Sequence, residues 1–465
     1  MIEVLGRTHS RLIQWADFGS FGLEGDLASS WEQPDPLTLI LHLDPLARWQ
    51  RRPPMMDGRA VTASDVVAHL ERAIAIASAG RQPALRRDWD MATFSSVSSP
   101  AEGVVAITLS RPDPFALQTL AGRFALVQAP EAVAAFDATW HGCRPEQVIG
   151  SGPFVYQHAK DGVLHFIAHE QGHRVPRALE LSVAPPGRGS ISDEFLADRR
   201  QPGNGAAAAA FKRHLVFQSS PIISAFHTGG APWNNLALVR AVSTAIDRVA
   251  LVRDVFGAIA VASSAVSPAF GGFAPSEREL PTASGLADAR ALWEAGGGPG
   301  LGAVQIAFPS AFDPRYSASG AVVAMLDATL GAQFQATVDS YPVIAASFAG
   351  PANGPAAWFG WGPPLTEPDP SRQLIETYAS ASATATATAY QSPAVEALLK
   401  RIAVEFDLPR RQALTREVAI TLAREGSPIV TWVHPQSEWQ RSPALVAAAR
   451  TPFWGQHLDV GATSI

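Results

Sequence analysis

Prolines at 363, 364, 368 and 370 crowd the stretch Trp358–Phe359–Gly360–Trp361–Gly362–Pro363–Pro364–Leu365–Thr366–Glu367–Pro368–Asp369–Pro370. Each proline fixes φ and removes a backbone donor, so residues 363–370 can form neither a continuing helix nor a central strand. The pattern predicts a short apolar strand that ends in a rigid loop carrying Trp361 and Glu367. Rigid aromatic and acidic groups at a strand end suit the wall of a ligand cleft. The plainer reading, two core tryptophans and a stiffened surface loop, stands beside it.

The chain has 465 residues, room for two or three domains, and 47% hydrophobic residues supply sizeable cores. Basic residues number 36 against 42 acidic ones and cluster at most in pairs such as Arg86–Arg87 and Arg410–Arg411. That is not the footprint of a nucleic-acid binder. A single cysteine, Cys143, excludes an intramolecular disulfide. No run of 18 apolar residues offers a transmembrane helix. Met1–Arg7 lacks the basic start and apolar core of a signal peptide, so the expectation is a cytoplasmic protein or a chain that begins after its export signal.

Local patterns alternate between strands and helices. Leu37, Leu39, Leu41 and Leu43 fall on every second position and predict one face of a strand. Thr62 and Asp65 have capping-box spacing ahead of a helix buried through Val66, Val67, Leu70 and Ile74. Val104–Leu109 reads as a strand. Residues 114–136 carry helical spacing broken at Pro130. Ile149–Gly150–Ser151–Gly152–Pro153–Phe154 reads as a tight turn into a strand, its glycines serving a sharp turn or a close backbone approach. Leu27–Glu32 reads as the end of a helical or turn segment, and 185–210 as a linker. Asn234 or Asn235, Asp247, Ser392 and Asp407 are candidate N-caps. Residues 304–361 alternate strand, helix and strand, as in an α/β domain. The Ala-Ser-Thr repeat at 379–389 reads as a flexible surface loop. His165, His169 and His173 are four apart and would share a face of a helix, but 163–168 reads as strand, so no metal site is expected.

Five stretches, taken in order, resemble the extracytoplasmic solute-binding proteins of ABC importers, in the family that takes up peptides, nickel and related solutes. Leu27–Ala28–Ser29–Ser30–Trp31–Glu32 resembles the family's Leu-Ala-Glu-Ser-Trp-Glu. Asp57 to Val67 resembles its Asp-Gly-x-Pro-hydrophobic-Thr-Ala-x-Asp-Val-Val. Gly150–Phe154 is similar to Gly-Thr-Gly-Pro-Tyr. Pro232–Trp233–Asn234–Asn235 through Arg240, Ala241 and Ala245–Arg248 is similar to its Pro-Phe-x-Asp lobe-two helix motif. The Gly360–Trp361 stretch resembles its Gly-Trp loop.

The resemblance implies an α/β chain of the two-lobed periplasmic-binding-protein type II fold, with an extra subdomain on lobe one. Lobe one would comprise 1–20, 146–228 and 432–465, its subdomain 21–145 and lobe two 229–431, the chain crossing near 228 and 432. It implies a small organic solute, peptide-like or an amino-acid derivative, delivered to membrane permease subunits. Neither cofactor, metal nor nucleic acid is implied, the location is extracytoplasmic, and contact with the membrane comes only through the permease. By the family's pattern the chain is shortened at its N-terminus and between His173 and Phe226. Peptide-binding members place an aspartate soon after Gly-Trp to pair with the ligand's ammonium; Pro364 stands there here, with Glu367 three residues on. Candidate ligand-binding residues are therefore Trp361, Trp358, Glu367, Trp233, His227 and Arg315. A cytoplasmic sensing domain of a transcription regulator is the alternative. A serine hydrolase is not expected, because no Gly-x-Ser-x-Gly elbow occurs.

Overall fold

The computed structural model describes residues 2–17, 21–78, 91–122, 125–136, 144–161, 163–169, 178–184, 195–197, 212–217, 221–255, 260–262, 264–276, 279–280, 285–310, 318–347, 350, 352–362 and 369–441. Its strands run β1 Ile13–Asp17, β2 Gly22–Gly25, β3 Ala28–Asp35, β4 Thr38–Leu43, β5 Phe94–Ala101, β6 Val104–Leu109, β7 Phe154–Lys160, β8 Val163–Ala168, β9 Ala178–Ala184, β10 Phe195–Ala197, β11 Lys212–Phe217, β12 Ile222–Phe226, β13 Ala260–Ala262, β14 Ala303–Pro309, β15 Gln333–Asp339, β16 Ala357–Trp361 and β17 Ile429–Arg441.

The first part of the chain builds a four-stranded antiparallel sheet in the order β3-β4-β6-β5. Leu39, Leu41 and Leu43 of β4 are buried as their alternation requires, while Leu37 lies just outside the strand and is exposed. The stretch at 28–32, read as a turn, is strand β3: Trp31 pairs with Leu41 and Glu32 with Ile40. A polar outer strand has a weak local signal, and its partner β4 decides the outcome. A helix over Ala63–Ser78 crosses this sheet. Its capping box forms, with Asp65 N–H donating to Thr62 Oγ1 at 3.3 Å and Thr62 N–H to the Asp65 carboxylate at 2.9 Å. Arg59 adds a fork onto the same carboxylate at 2.7 and 2.9 Å.

The glycines at 150 and 152 are explained by close approach. A side chain at Gly150 would run into the Thr8 carbonyl, and a Cβ at Gly152 would lie 2.8 Å from the Thr8 carbonyl carbon. Gln50, fully buried, ties this crossing together. Its Nε2 donates to the carbonyls of Thr8 at 2.8 Å, Gly152 at 3.1 Å and Phe154 at 2.7 Å. Beyond it, β7 to β10 form a second sheet in sequential order.

The largest sheet has seven strands: β11-β17-β12-β16-β14-β15, with β13 beside β17. The β14 to β15 and β14 to β16 pairings are parallel, and the helix Ala318–Leu330 makes the β14 to β15 crossover. Both faces are covered. Helices Leu236–Ala245, Gly285–Ala295 and Ala318–Leu330 pack one face through Val242, Trp293, Val322 and Leu326, against Phe308, Phe359 and Trp432. Helices Ser371–Tyr378, Pro393–Ile402 and Leu408–Glu425 pack the other through Leu374, Leu399 and Val418. That second core is continuous with the first sheet's core, joining Leu41 and Val66 to Ile223, Ala225 and Trp358.

Strand β17 serves three partners, β11, β12 and β13. Ile429–Val433 pairs with β12, and Gln436–Arg441 pairs with β11. The two segments therefore link separate stretches of sheet along one strand.

Asn235, Asp247, Ser392 and Asp407 all cap as their residue types suggest. The repeat at 379–389 differs from its reading as a loop: Ala383–Thr388 is a helix. Ser382 accepts the Ala385 amide, while Thr386 and Thr388 donate back to the carbonyls four residues earlier, so threonines that have poor helix propensity meet their hydrogen bonds locally. Of the linker at 185–210, only β10 lies within the described residues, and Cys143 lies outside them.

Two consequences are testable. His9 and His69 are buried in the first part. Burial, seconded by the Arg11 cation, pushes His9 down from 6.5 to about 4. Burial, with Arg72 and His9, pushes His69 down to about 3. Both rings are protonated in the unfolded chain before they are in the folded one. Their stabilising contribution is complete above pH 6.5 and falls as pH drops towards 4, by about 1.4 kcal/mol per unit for each ring. Urea midpoints measured at pH 7 and 5 should drop accordingly, and less so in His9→Gln. Gly152→Ala should lose roughly 1–3 kcal/mol in the same assay, because neither the Thr8 nor the Gly152 backbone can retreat without breaking the Gln50 bonds.

Candidate functional site

Strand β16 delivers the tryptophan stretch as the sequence pattern predicts. Ala357 pairs with Phe226 and Trp361 pairs with Ile222, so Trp361 closes the strand. Residues 363–368, Glu367 among them, lie outside the described residues, as does Arg315. The chain is described again at Asp369, and this residue is the anchor of the far side of the loop.

Asp369 is buried, with a fully enclosed carboxylate. Arg411, on the helix Leu408–Glu425, donates from Nε to Asp369 Oδ2 at 2.7 Å and from a terminal nitrogen to the Glu405 carbonyl at 2.7 Å. The Ser371 amide donates to Asp369 Oδ1 at 2.9 Å, the turn that starts the helix Ser371–Tyr378. A buried charge demands such pairing.

The first part of the molecule meets this anchor through the short helix Ala116–Ala121. Phe115 lies under the Arg411 guanidinium, 5.5 Å from ring centroid to Cζ. Gln118 Nε2 donates to Asp369 Oδ2 at 3.4 Å, and Arg372 donates to Thr119 Oγ1 at 2.5 Å. Phe21 meets Phe273 edge to face at 5.2 Å along the same junction. Gln118 Oε1 is buried there without a hydrogen-bond partner. These contacts thus gather at Asp369, where the described chain resumes after residue 362.

The other predicted residues divide. Trp358 and His227 come together, lining a pocket with Ser347, Thr384 and Thr388. The Ser347 hydroxyl and His227 Nδ1 are buried without partners. The cavity is about 20 Å³, room for one water-sized group. His227 donates its amide to the Ala356 carbonyl at 2.8 Å, at the opposite end of the β12–β16 ladder from Trp361. Five residues of strand separate the two ends, roughly 16 Å. Trp233 is buried in the other core, its ring 4.5 Å from that of Phe226.

Sequence reading did not single out Phe115, Gln118, Thr119, Arg372, Asp369 or Arg411. The one local sign was the Asp369–Pro370–Ser371 helix start; the rest depends on pairings across as many as 251 residues. Among the described residues no group of three or more His, Cys, Asp or Glu side chains is gathered to hold a metal, and no helix is long and apolar enough to cross a membrane.

Residues 22–170 match the profile of the bacterial extracellular solute-binding proteins, family 5, middle region. Heme-binding protein A of Haemophilus influenzae is 25% identical over 273 residues, 54% of this chain and 49% of that protein. The probable D,D-dipeptide-binding periplasmic protein DdpA of Escherichia coli is 33% identical over 162 residues, 33% of this chain and 28% of that protein. The matches thus span half or less of these relatives' lengths. The periplasmic binding protein DppA of Helicobacter pylori, solved with the peptide STSA, superposes with a TM-score of 0.74 at 17% identity, covering 97% of this chain and 91% of that one. At that identity the likeness establishes the fold, which is the two-lobed α/β architecture.

The buried ion pair gives a direct test of the site's frame. Arg411→Ala leaves the Asp369 carboxylate enclosed and unpaired, and should cost about 3–5 kcal/mol in urea unfolding. The double variant Arg411→Ala/Asp369→Ala should recover part of that loss.

Proposed function

We propose that this chain, whose residues 22–170 match the profile of the family 5 extracellular solute-binding proteins, captures a small organic solute between its two lobes and hands it to the permease of an ABC importer. The single observation that carries the reading is the junction just described. It brings helix Ala116–Ala121 of one body against Asp369, Arg372 and Arg411 of the other, at the base of the loop between Trp361 and Asp369. A ligand held at that loop lies where closing of the bodies encloses it.

The ligand class is a peptide-like molecule or an amino-acid derivative. Trp361 supplies the aromatic wall and Glu367 the acid for a ligand cation. Asp369 is not available for that task, since Arg411 and the Ser371 amide occupy its carboxylate. Hinge motion is assigned to the paired crossings, where β11 gives way to β12 and β17 passes from one sheet stretch to the other. The protein performs binding without chemistry. Its place of action is the periplasmic or extracytoplasmic space, a location supported by the names of relatives such as the DdpA protein. That support favours the importer over the regulator, which shares the module but not the location.

A thermal-shift screen against di- and tripeptides, amino-acid derivatives, opines, sugars and metal chelates tests this. A true ligand at 100 times its Kd should stabilise the fold by about 2.7 kcal/mol. Trp361→Ala should abolish that shift while leaving the unliganded melt close to wild type. A cooperative melt that no class of solute moves would overturn the carrier reading.

A further inference from the structure

In the first part of the chain a cavity of about 120 Å³ is lined by His9, Arg72, Gln128 and Gln147, with Ala132 and Ile149. A dry cavity of about 150 Å³ admits benzene, so this one has room for a compact polar molecule. The state of His9 follows from its neighbours. Thr8 has one hydroxyl hydrogen, and it goes to the Val4 carbonyl at 2.9 Å. In the 2.8 Å contact between Thr8 Oγ1 and His9 Nδ1 the ring is therefore the donor. Burial, seconded by the Arg11 cation, holds His9 to about 4, so the ring is neutral at pH 7. A neutral ring with its proton on Nδ1 presents Nε2 as a bare acceptor. His9 is 4% exposed, and among the described residues nothing donates to that nitrogen.

We infer that this cavity is a second binding site, for a small oxyanion that carries one hydroxyl group. The hydroxyl donates to His9 Nε2, and the anionic end takes the positive field of Arg72. Arg72 and Gln147 have interactions of their own, so the demand for a partner comes from His9. A buried acceptor without a donor is costly, and a hydroxyl supplies the donor that a bare carboxylate lacks. The field is positive because Arg11 acts on the His9 ring and Arg72 on the His69 ring. The acids on the same elements do not cancel it. Glu71 and Glu146, next in sequence to Arg72 and Gln147, are exposed, and Glu131 beside Ala132 is held by Arg59 at 2.8 Å. His69 is the opposite tautomer: its Nδ1 accepts the Gln128 amide at 3.4 Å, so its neutral ring carries the proton on Nε2. None of these residues takes part in the Asp369 junction, so the inference stands apart from the carrier reading.

The test compares glycolate with acetate, which differ by one hydroxyl. Calorimetry on the whole chain at pH 7 should find one glycolate per chain, bound about tenfold more tightly than acetate. Arg72 is exposed, so Arg72→Gln should melt close to wild type while weakening both acids. His9→Phe should bring glycolate down to the level of acetate. Where that buried variant fails to fold, the wild-type ring reports instead. In nitrogen-15 spectra of histidine-labelled protein the His9 Nε2 resonance should move with glycolate and stay with acetate. Four results would overturn the assignment. They are equal affinity for the two acids, an Arg72→Gln variant without effect, glycolate binding that is lost in Trp361→Ala, and a cavity that holds water only, with no saturable heat and an unmoved Nε2.

Discussion

A carboxylate sealed from water constrains more of this molecule than any other single group. Taking Asp369 out of water costs several kcal/mol, an amount offset only by partners of good geometry. Arg411 supplies the charge, the Ser371 amide supplies a second bond, and Phe115 roofs the guanidinium. These partners lie on three separate elements, so satisfying one charge fixes the helices Ser371–Tyr378 and Leu408–Glu425 relative to each other. It also gives the helix Ala116–Ala121 a place to dock. The last described residues before 363 and the first after 368 are thus fixed, by the β16 ladder at Trp361 and by the ion pair at Asp369.

The opposite end of the first body is held by an uncharged device. Gln50 uses one amide to satisfy three carbonyls, from Thr8, Gly152 and Phe154, and the glycines permit the approach. Neutral hydrogen bonds suffice there because all three partners are backbone carbonyls, the Thr8 carbonyl also accepting from the Gly152 amide at 2.9 Å. One crossing is thus specified by charge and the other by the absence of side chains.

What the sequence disclosed follows the range of the interaction. Asn235, Asp247, Ser392 and Asp407 cap helices through bonds spanning two or three residues, and each is legible from residue type. The alternating leucines of β4 locate a strand for the same reason. Where a partner far along the chain decides, local pattern fails. Polar β3 is a strand because β4 is beside it. The Ala-Thr repeat is the exception, a helix missed although its bonds are local, from the Ser382 cap and from threonines that bond back one turn. Trp361 was visible as the end of an apolar strand, whereas the Arg411 anchor, 42 residues from Asp369, was not. The histidines show the same limit. Their sequence spacing tested a helical face and found none, while the juxtaposition of His158 with His165 is a property of hairpin register.

The arrangement of charge at the junction keeps the buried pair whole. Both members of the buried ion pair, Asp369 and Arg411, belong to the same body. Among the described residues, the polar bonds that cross include Gln118 to Asp369 at 3.4 Å and Arg372 to Thr119 at 2.5 Å. Hydrogen bonds to charged groups contribute about 1.5–3 kcal/mol each when well made, and the longer of these two contributes less. Parting the bodies therefore strips Asp369 of a weak third partner and leaves Arg411 in place, so no carboxylate is left buried and alone. Had the pair been divided between the bodies, opening would have exposed two unpaired charges to the cost that a broken buried bridge carries. With the pair kept on one side, the junction rests chiefly on the apolar core shared by the two parts, in which Leu41 and Val66 join Ile223, Ala225 and Trp358.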